Sequence, residues 1–158
     1  MSLPKKRELR DCLDEIKQAS QDISDFTKDM TYDQFSKNRM SMLATLKAVE
    51  VIGQACWELR EHHKDFLAED PDLTNLVNQA RGMRNKTAHN YNATDYRMVF
   101  GVKDAAPELI AKLENRYQLY KLKTMAENTL PLGSFGKSLK NVLRNNKLDK
   151  SDSGPKQG

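Results

Sequence analysis

Met42-Leu43-Ala44-Thr45-Leu46-Lys47-Ala48-Val49-Glu50-Val51-Ile52-Gly53-Gln54-Ala55-Cys56-Trp57-Glu58-Leu59 is the stretch from which the fold can be read. Met42, Leu43, Leu46, Val49, Ile52, Cys56 and Leu59 recur at steps of three and four, which is the spacing of one buried helical face. The pattern predicts a helix running from just past Asp33 to about His63. Gly53 interrupts it with a residue that costs a helix interior up to about 1 kcal/mol relative to alanine. Its presence points to another helix passing close by.

The same periodicity extends in both directions. Upstream, Leu9, Cys12, Leu13, Ile16, Ala19, Ile23, Phe26 and Met30 define a first helix over about Lys5 to Met30, and Thr31, Tyr32 and Asp33 break it. Downstream, Pro71 suits a first helical turn with Asp70 as its cap. Leu73, Leu76, Val77, Ala80 and Met83 carry that third stripe forward. Asn90 and Asn92 signal a turn, and Thr94 or Asp95 can cap a fourth helix bearing Tyr96, Val99, Phe100 and Val102. Pro107 is expected to kink or restart that helix before Leu109, Ile110, Leu113, Tyr117 and Tyr120 resume the stripe. No strand signal competes. The expected fold is all-α, an antiparallel bundle of four to five helices.

At 158 residues the chain is long enough for one helical domain, expected over residues 1–125. Residues 126–158 read as a basic linker and tail. Pro131, Gly133 and Gly136 form the linker, and Ser138 caps a short helix with Leu139, Val142, Leu143 and Leu148. Disorder is expected beyond Lys150. From Lys121 onward eight Lys and Arg face three acids, a net +5, which leaves −1 on the first 120 residues of a chain of net +4. Such a tail fits either a solvated extension or a nucleic-acid contact. Two isolated cysteines, Cys12 and Cys56, sit in apolar stripes and read as reduced core residues. With no apolar run of membrane-spanning length and no signal-peptide core, a soluble cytoplasmic protein is expected.

The third stripe leads directly into Arg84-Asn85-Lys86-Thr87-Ala88-His89-Asn90-Tyr91, where the chemistry concentrates. A guanidinium matches phosphate with a planar fork of donors, and an imidazole moves protons near neutral pH. Together they suit cleavage of RNA by its own 2′-hydroxyl without a metal ion or other cofactor. His89 would act as general base or acid, Arg84 would hold the phosphate, and Asn85 and Lys86 would support or extend the phosphate-binding surface. In a regular helix five residues turn through about 500°, so Arg84 and His89 stand roughly 140° apart. Convergence therefore requires the chain to bend just past Ala88, a turn that Asn90 tolerates. One histidine does not readily serve as both base and acid, so a two-fold dimer facing two copies of the pair across one cleft is expected. The spacing taken alone also fits a helix-capping role. His62 and His63 read as partners of carbonyls at a helix end, and Trp57 as core or interface.

The chain from about Arg7 to Tyr117 resembles the HEPN superfamily, and within it the HepT-like toxins. Leu46-Lys47-Ala48-Val49-Glu50-Val51-Ile52-Gly53-Gln54-Ala55 is similar to that group's second-helix signature, with Gln54 where a carboxylate is common. Gly82-Met83-Arg84-Asn85-Lys86-Thr87-Ala88-His89-Asn90-Tyr91 is similar to its Arg-Asn-x-x-x-His-x-Tyr motif, with Asn90 in place of a frequent glycine. The resemblance implies an all-helical homodimer acting as a metal-independent endoribonuclease toxin. Arg84 and His89 match the catalytic pair and Asn85 the polar position. Tyr91 matches the tyrosine that the partner antitoxin, an MntA-like minimal nucleotidyltransferase, modifies with AMP groups.

Two other functions fit the residues. One is a non-catalytic HEPN module that binds nucleotide or RNA, or docks a nucleotidyltransferase. The other is a structural helical adaptor whose basic tail contacts acidic partners.

Overall fold

The computed structural model describes residues 7–88 and 94–129. Within them lie six helices and no strand: α1 (Leu9–Phe26), α2 (Tyr32–Lys37), α3 (Arg39–His62), α4 (Lys64–Leu67), α5 (Pro71–Ala88) and α6 (Tyr96–Thr129). Four of these are long, and α2 and α4 are short connectors. The all-α bundle expected from the periodicity is the fold observed. The expected linker, short helix and tail beyond residue 129 lie outside the described residues.

Caps explain most of the boundaries. Asp70 Oδ1 accepts from the Leu73 backbone N–H at 2.9 Å and starts α5. Asp95 Oδ1 accepts from the N–H groups of Arg97 at 2.9 Å and Met98 at 3.2 Å and starts α6. Both carboxylates satisfy donors that a helix start leaves without partners. The single helix expected between Asp33 and His63 is instead two. Thr31 and Gln34 form a capping box that opens α2. Asn38 then leaves the helical conformation, and its Oδ1 accepts from Ser41 N–H at 3.0 Å to start α3 afresh.

Pro107 does not restart α6, which runs on through it. A proline removes one backbone hydrogen bond, here the one to the Lys103 carbonyl four residues earlier. Pro107 faces solvent, so water can satisfy that carbonyl. Val99, Ala106, Leu109 and Leu113 are buried on both sides of it and hold one continuous stripe against the core.

The chain divides into two compact units, Met1–Gln118 and Leu119–Gly158. In the first, α3 is the central element and packs on both α1 and α5. The His63 ring at the end of α3 meets the Arg7 carbonyl before α1 at 2.9 Å, while Phe26 at the end of α1 lines a hollow with Ala44 near the start of α3. Helices α1 and α3 are therefore antiparallel. Cys12, Leu13, Ile16 and Ile23 of α1 meet Leu46, Val49, Ile52, Cys56 and Leu59 of α3 in the core, with Leu73 and Val77 of α5 beneath them. Phe26 and Leu43, both expected on inner faces, are 38% exposed because they sit at helix ends where the stripe leaves the interface. Arg116 of α6 is buried. Its Nε donates to the Phe66 carbonyl at 2.7 Å and a terminal nitrogen lies 3.3 Å from Glu69, which ties down the turn before α5. Of the second unit, residues 119–129 are the last turns of α6 and expose Leu119, Leu122 and Met125.

Candidate functional site

Arg84 sits where α5 passes close to α3 at Gly53. A Cβ added to Gly53 would lie 2.4 Å from the Arg84 Cβ and 3.1 Å from the Ala80 carbonyl oxygen. The glycine therefore sets how deeply the arginine's helix can settle, as its place in the α3 stripe suggested. Flanking that contact on the same helix, Leu76, Ala80 and Met83 line an apolar cavity of about 90 Å³ with Val49, Ile52 and Val102. That packing fixes the rotation of α5 and turns Arg84 toward α1 and the outer face of α3.

There Arg84 lines a groove of about 250 Å³ with Glu15, Lys47, Glu50, Val51 and Gln54. The acids in this groove are already engaged. Glu15 pairs with Arg7 at 2.7 Å and Glu50 with Lys47 at 3.6 Å. Gln54 Nε2 donates to Glu58 Oε1 at 3.4 Å, and Glu58 faces His62 at 3.6 Å. The half-exposed Arg84 guanidinium makes no hydrogen bond or ion pair with any described residue; only its backbone carbonyl is used, by the Thr87 hydroxyl at 3.1 Å. A guanidinium at the wall of a groove, with its fork of donors open, is chemically suited to a phosphate or carboxylate.

The other expected site residues divide into two groups. Asn85 and Lys86 are placed on α5 and exposed. At about 100° per residue they turn away from the groove that Arg84 faces, and neither lines it. His89, Asn90 and Tyr91 lie outside the described residues, and so does the expected bend past Ala88. Helix α5 is described as helical up to that point. Among the described residues no group of three or more His, Cys, Asp and Glu side chains is arranged to hold a metal ion. No described helix is long and apolar enough to cross a membrane.

Sequence reasoning missed most of the groove. Glu15, Lys47 and Glu50 come from α1 and α3, and no local motif joins them to a residue on α5. Lys47, Glu50, Val51 and Gln54 fall inside the Leu46–Ala55 stretch that carried the second-helix signature, but nothing in that stretch joined them to Arg84, and Glu15 lay outside any motif. The groove shares Glu15, Lys47 and Val51 with a second hollow of about 290 Å³ that extends along α1 and α3 to Phe26. The two cysteines are buried, as expected of core residues. Burial pushes the Cys56 thiol up to about 12 and the Cys12 thiol up to about 11, the latter against an opposing pull from Arg7.

Residues 16–116 match the family described as Ribonuclease HepT-like. Among curated proteins, "Putative RNase MJ1380" of Methanocaldococcus jannaschii is 31% identical over 110 residues, covering 69% of this chain and 96% of that protein. "Putative RNase MJ0127" of the same organism is 35% identical over 97 residues, 61% of this chain and 76% of that one. "Probable ribonuclease HepT" of Thermococcus cleftensis is 29% identical, covering 69% of this chain and 96% of its own length. No solved structure matches the chain.

Proposed function

The chain belongs to the HepT-like ribonuclease family of the HEPN superfamily, and we propose that it is a metal-independent endoribonuclease, the toxin of a toxin–antitoxin pair. The observation that carries this reading is the Arg84 guanidinium, free of described partners at the wall of a groove and five residues before His89. The relatives named as RNases support the same substrate class.

RNA supplies its own nucleophile. The 2′-hydroxyl attacks the adjacent phosphorus, its proton passes to an imidazole, and the bond to the 5′-oxygen breaks as that oxygen takes up a proton. The products are a 2′,3′-cyclic phosphate and a free 5′-hydroxyl. His89 carries one of the two proton transfers, and a second His89 across a two-fold axis carries the other. Arg84 holds the phosphate and stabilises the charge that builds on it in the transition state. Asn85 and Lys86, exposed on α5 beyond the groove, support or extend the phosphate-binding surface.

Tyr91 is the control point. A partner nucleotidyltransferase of the MntA type transfers AMP from ATP to its hydroxyl with release of pyrophosphate, and each added phosphate occupies the cationic site and repels RNA. Expression in bacteria of wild type beside Arg84→Ala and His89→Ala tests the reading. Growth arrest by wild type alone, reversed when the nucleotidyltransferase is co-expressed and Tyr91 gains the mass of AMP, is the expected result. Tight RNA or nucleotide binding without turnover on several RNAs would favour the non-catalytic module instead.

A further inference from the structure

The start of α6 carries a second group of side chains that the proposed cleavage does not use. The Arg97 guanidinium lies 4.2 Å from the centroid of the Tyr32 ring. Behind that pair the Phe100 ring meets Tyr32 edge-on at 5.8 Å and Phe35 at 4.9 Å. Lys103 lies 4.9 Å from the Phe100 centroid. Phe35 is fully buried, Tyr32 and Phe100 are half-buried, and Arg97 is exposed. The layers thus run from core to solvent and end on a cation.

Two features separate this cluster from an ordinary surface charge. The Arg97 guanidinium has no carboxylate partner among the described residues; Asp95, its nearest acid in sequence, is occupied with the backbone N–H groups of Arg97 and Met98. The Tyr32 hydroxyl likewise makes no hydrogen bond to a described residue. Long side chains usually lose such order to conformational entropy, but here a ring braced from behind helps hold the guanidinium over it. A guanidinium held over one face of an aromatic ring leaves its outward side for a second flat partner. Its edge keeps donors for an anion.

We propose that the Arg97–Tyr32 stack is a binding site for single-stranded RNA, with a nucleobase on the outer face of the guanidinium and a flanking phosphate on its edge. The Tyr32 hydroxyl adds a polar contact beside that nucleotide, while Lys103 is already paired with Asp104 at 3.3 Å. The inference rests on the ribonuclease reading and places on α2 and α6 a grip on the strand separate from the Arg84 groove. It makes Arg97 a residue that anchors substrate and takes no part in the chemistry.

The test uses the full chain carrying His89→Ala, so that binding is read without turnover, and a fluorescent oligouridine as probe. Arg97→Ala is expected to weaken binding about 5- to 30-fold, the range of one stacked base with one phosphate contact. Arg97→Lys, which keeps the charge and loses the plane, should recover only a minor part. Tyr32→Leu should weaken binding severalfold, and Lys17→Gln on α1 should leave it unchanged. Thermal melts of each variant separate loss of the site from loss of the fold, with Arg97→Lys as the variant least able to disturb packing. Unchanged RNA affinity in Arg97→Ala and Arg97→Lys, while unsubstituted protein cleaves RNA, would overturn the site and leave the stack as a clasp between α2 and α6. Absence of both RNA binding and cleavage in the unsubstituted protein would overturn the ribonuclease reading, and the site with it.

Discussion

Gly53 and Arg84 touch: a methyl group on the glycine would stand 2.4 Å from the arginine's Cβ. The contact involves the root of the side chain, so a rotamer change cannot relieve it. Helix α5 itself would have to move. Gly53→Ala is therefore expected to destabilise the fold by about 1–3 kcal/mol through overpacking, offset by up to about 1 kcal/mol of gained helix propensity. RNA cleavage should fall further than stability does, because the shift displaces the phosphate-binding group directly. Thermal denaturation and cleavage rates on the same preparation check both parts.

Removing the Arg84 head group has the opposite profile. With no described hydrogen bond or ion pair to lose, Arg84→Ala should leave the melting temperature within a few degrees of wild type. Loss of a preorganised donor to the transition state typically lowers turnover by about 10²- to 10³-fold. Arg84→Lys restores charge without the planar fork and should recover only part of the rate. Steady-state kinetics on a short RNA would measure all three proteins.

Arg116 answers for stability alone. Its buried guanidinium donates to the Phe66 carbonyl and pairs with Glu69, so Arg116→Met removes both interactions from a buried position. The expected loss is about 1–3 kcal/mol, read from the midpoint of chemical denaturation, with per-molecule cleavage of the folded fraction unchanged.

The fold was largely legible because its signals are local. Asp70 and Asp95 cap helices as their positions suggested, and the centres of the α1 and α3 stripes are buried, together with Leu73 and Val77 of α5. Asn38 was the boundary that pattern alone did not reveal, since apolar spacing continues across it while its side chain starts a new helix. Pro107 lies inside α6 and does not restart it, because solvent and a continuous buried stripe together compensate for one missing bond. The site was legible as two separate stretches, one on α5 and one on α3. Lys47, Glu50 and Gln54 meet Arg84 only through tertiary packing, and Glu15 on α1 belongs to neither stretch.

The thiols set an alkaline limit on the fold. Cys12 and Cys56 are raised by burial to about 11 and about 12, above the ordinary value of 9.0. Between those values the unfolded chain releases protons that the folded chain keeps. Stability is therefore full below about pH 9 and declines as pH rises from there toward the folded values. Denaturation midpoints at pH 7.5, 9 and about 10.5 should fall in that order, and Cys56→Ala should flatten the slope. At pH 8 a thiol reagent should modify neither cysteine in folded protein and both in denaturant.

Incubation of purified protein with RNA in EDTA tests the central claim most directly. The expected products end in 2′,3′-cyclic phosphates and 5′-hydroxyls, and His89→Ala abolishes them while its helical circular dichroism matches wild type. Cleavage that survives the His89 substitution, or that appears only when a divalent metal is added, would contradict the account.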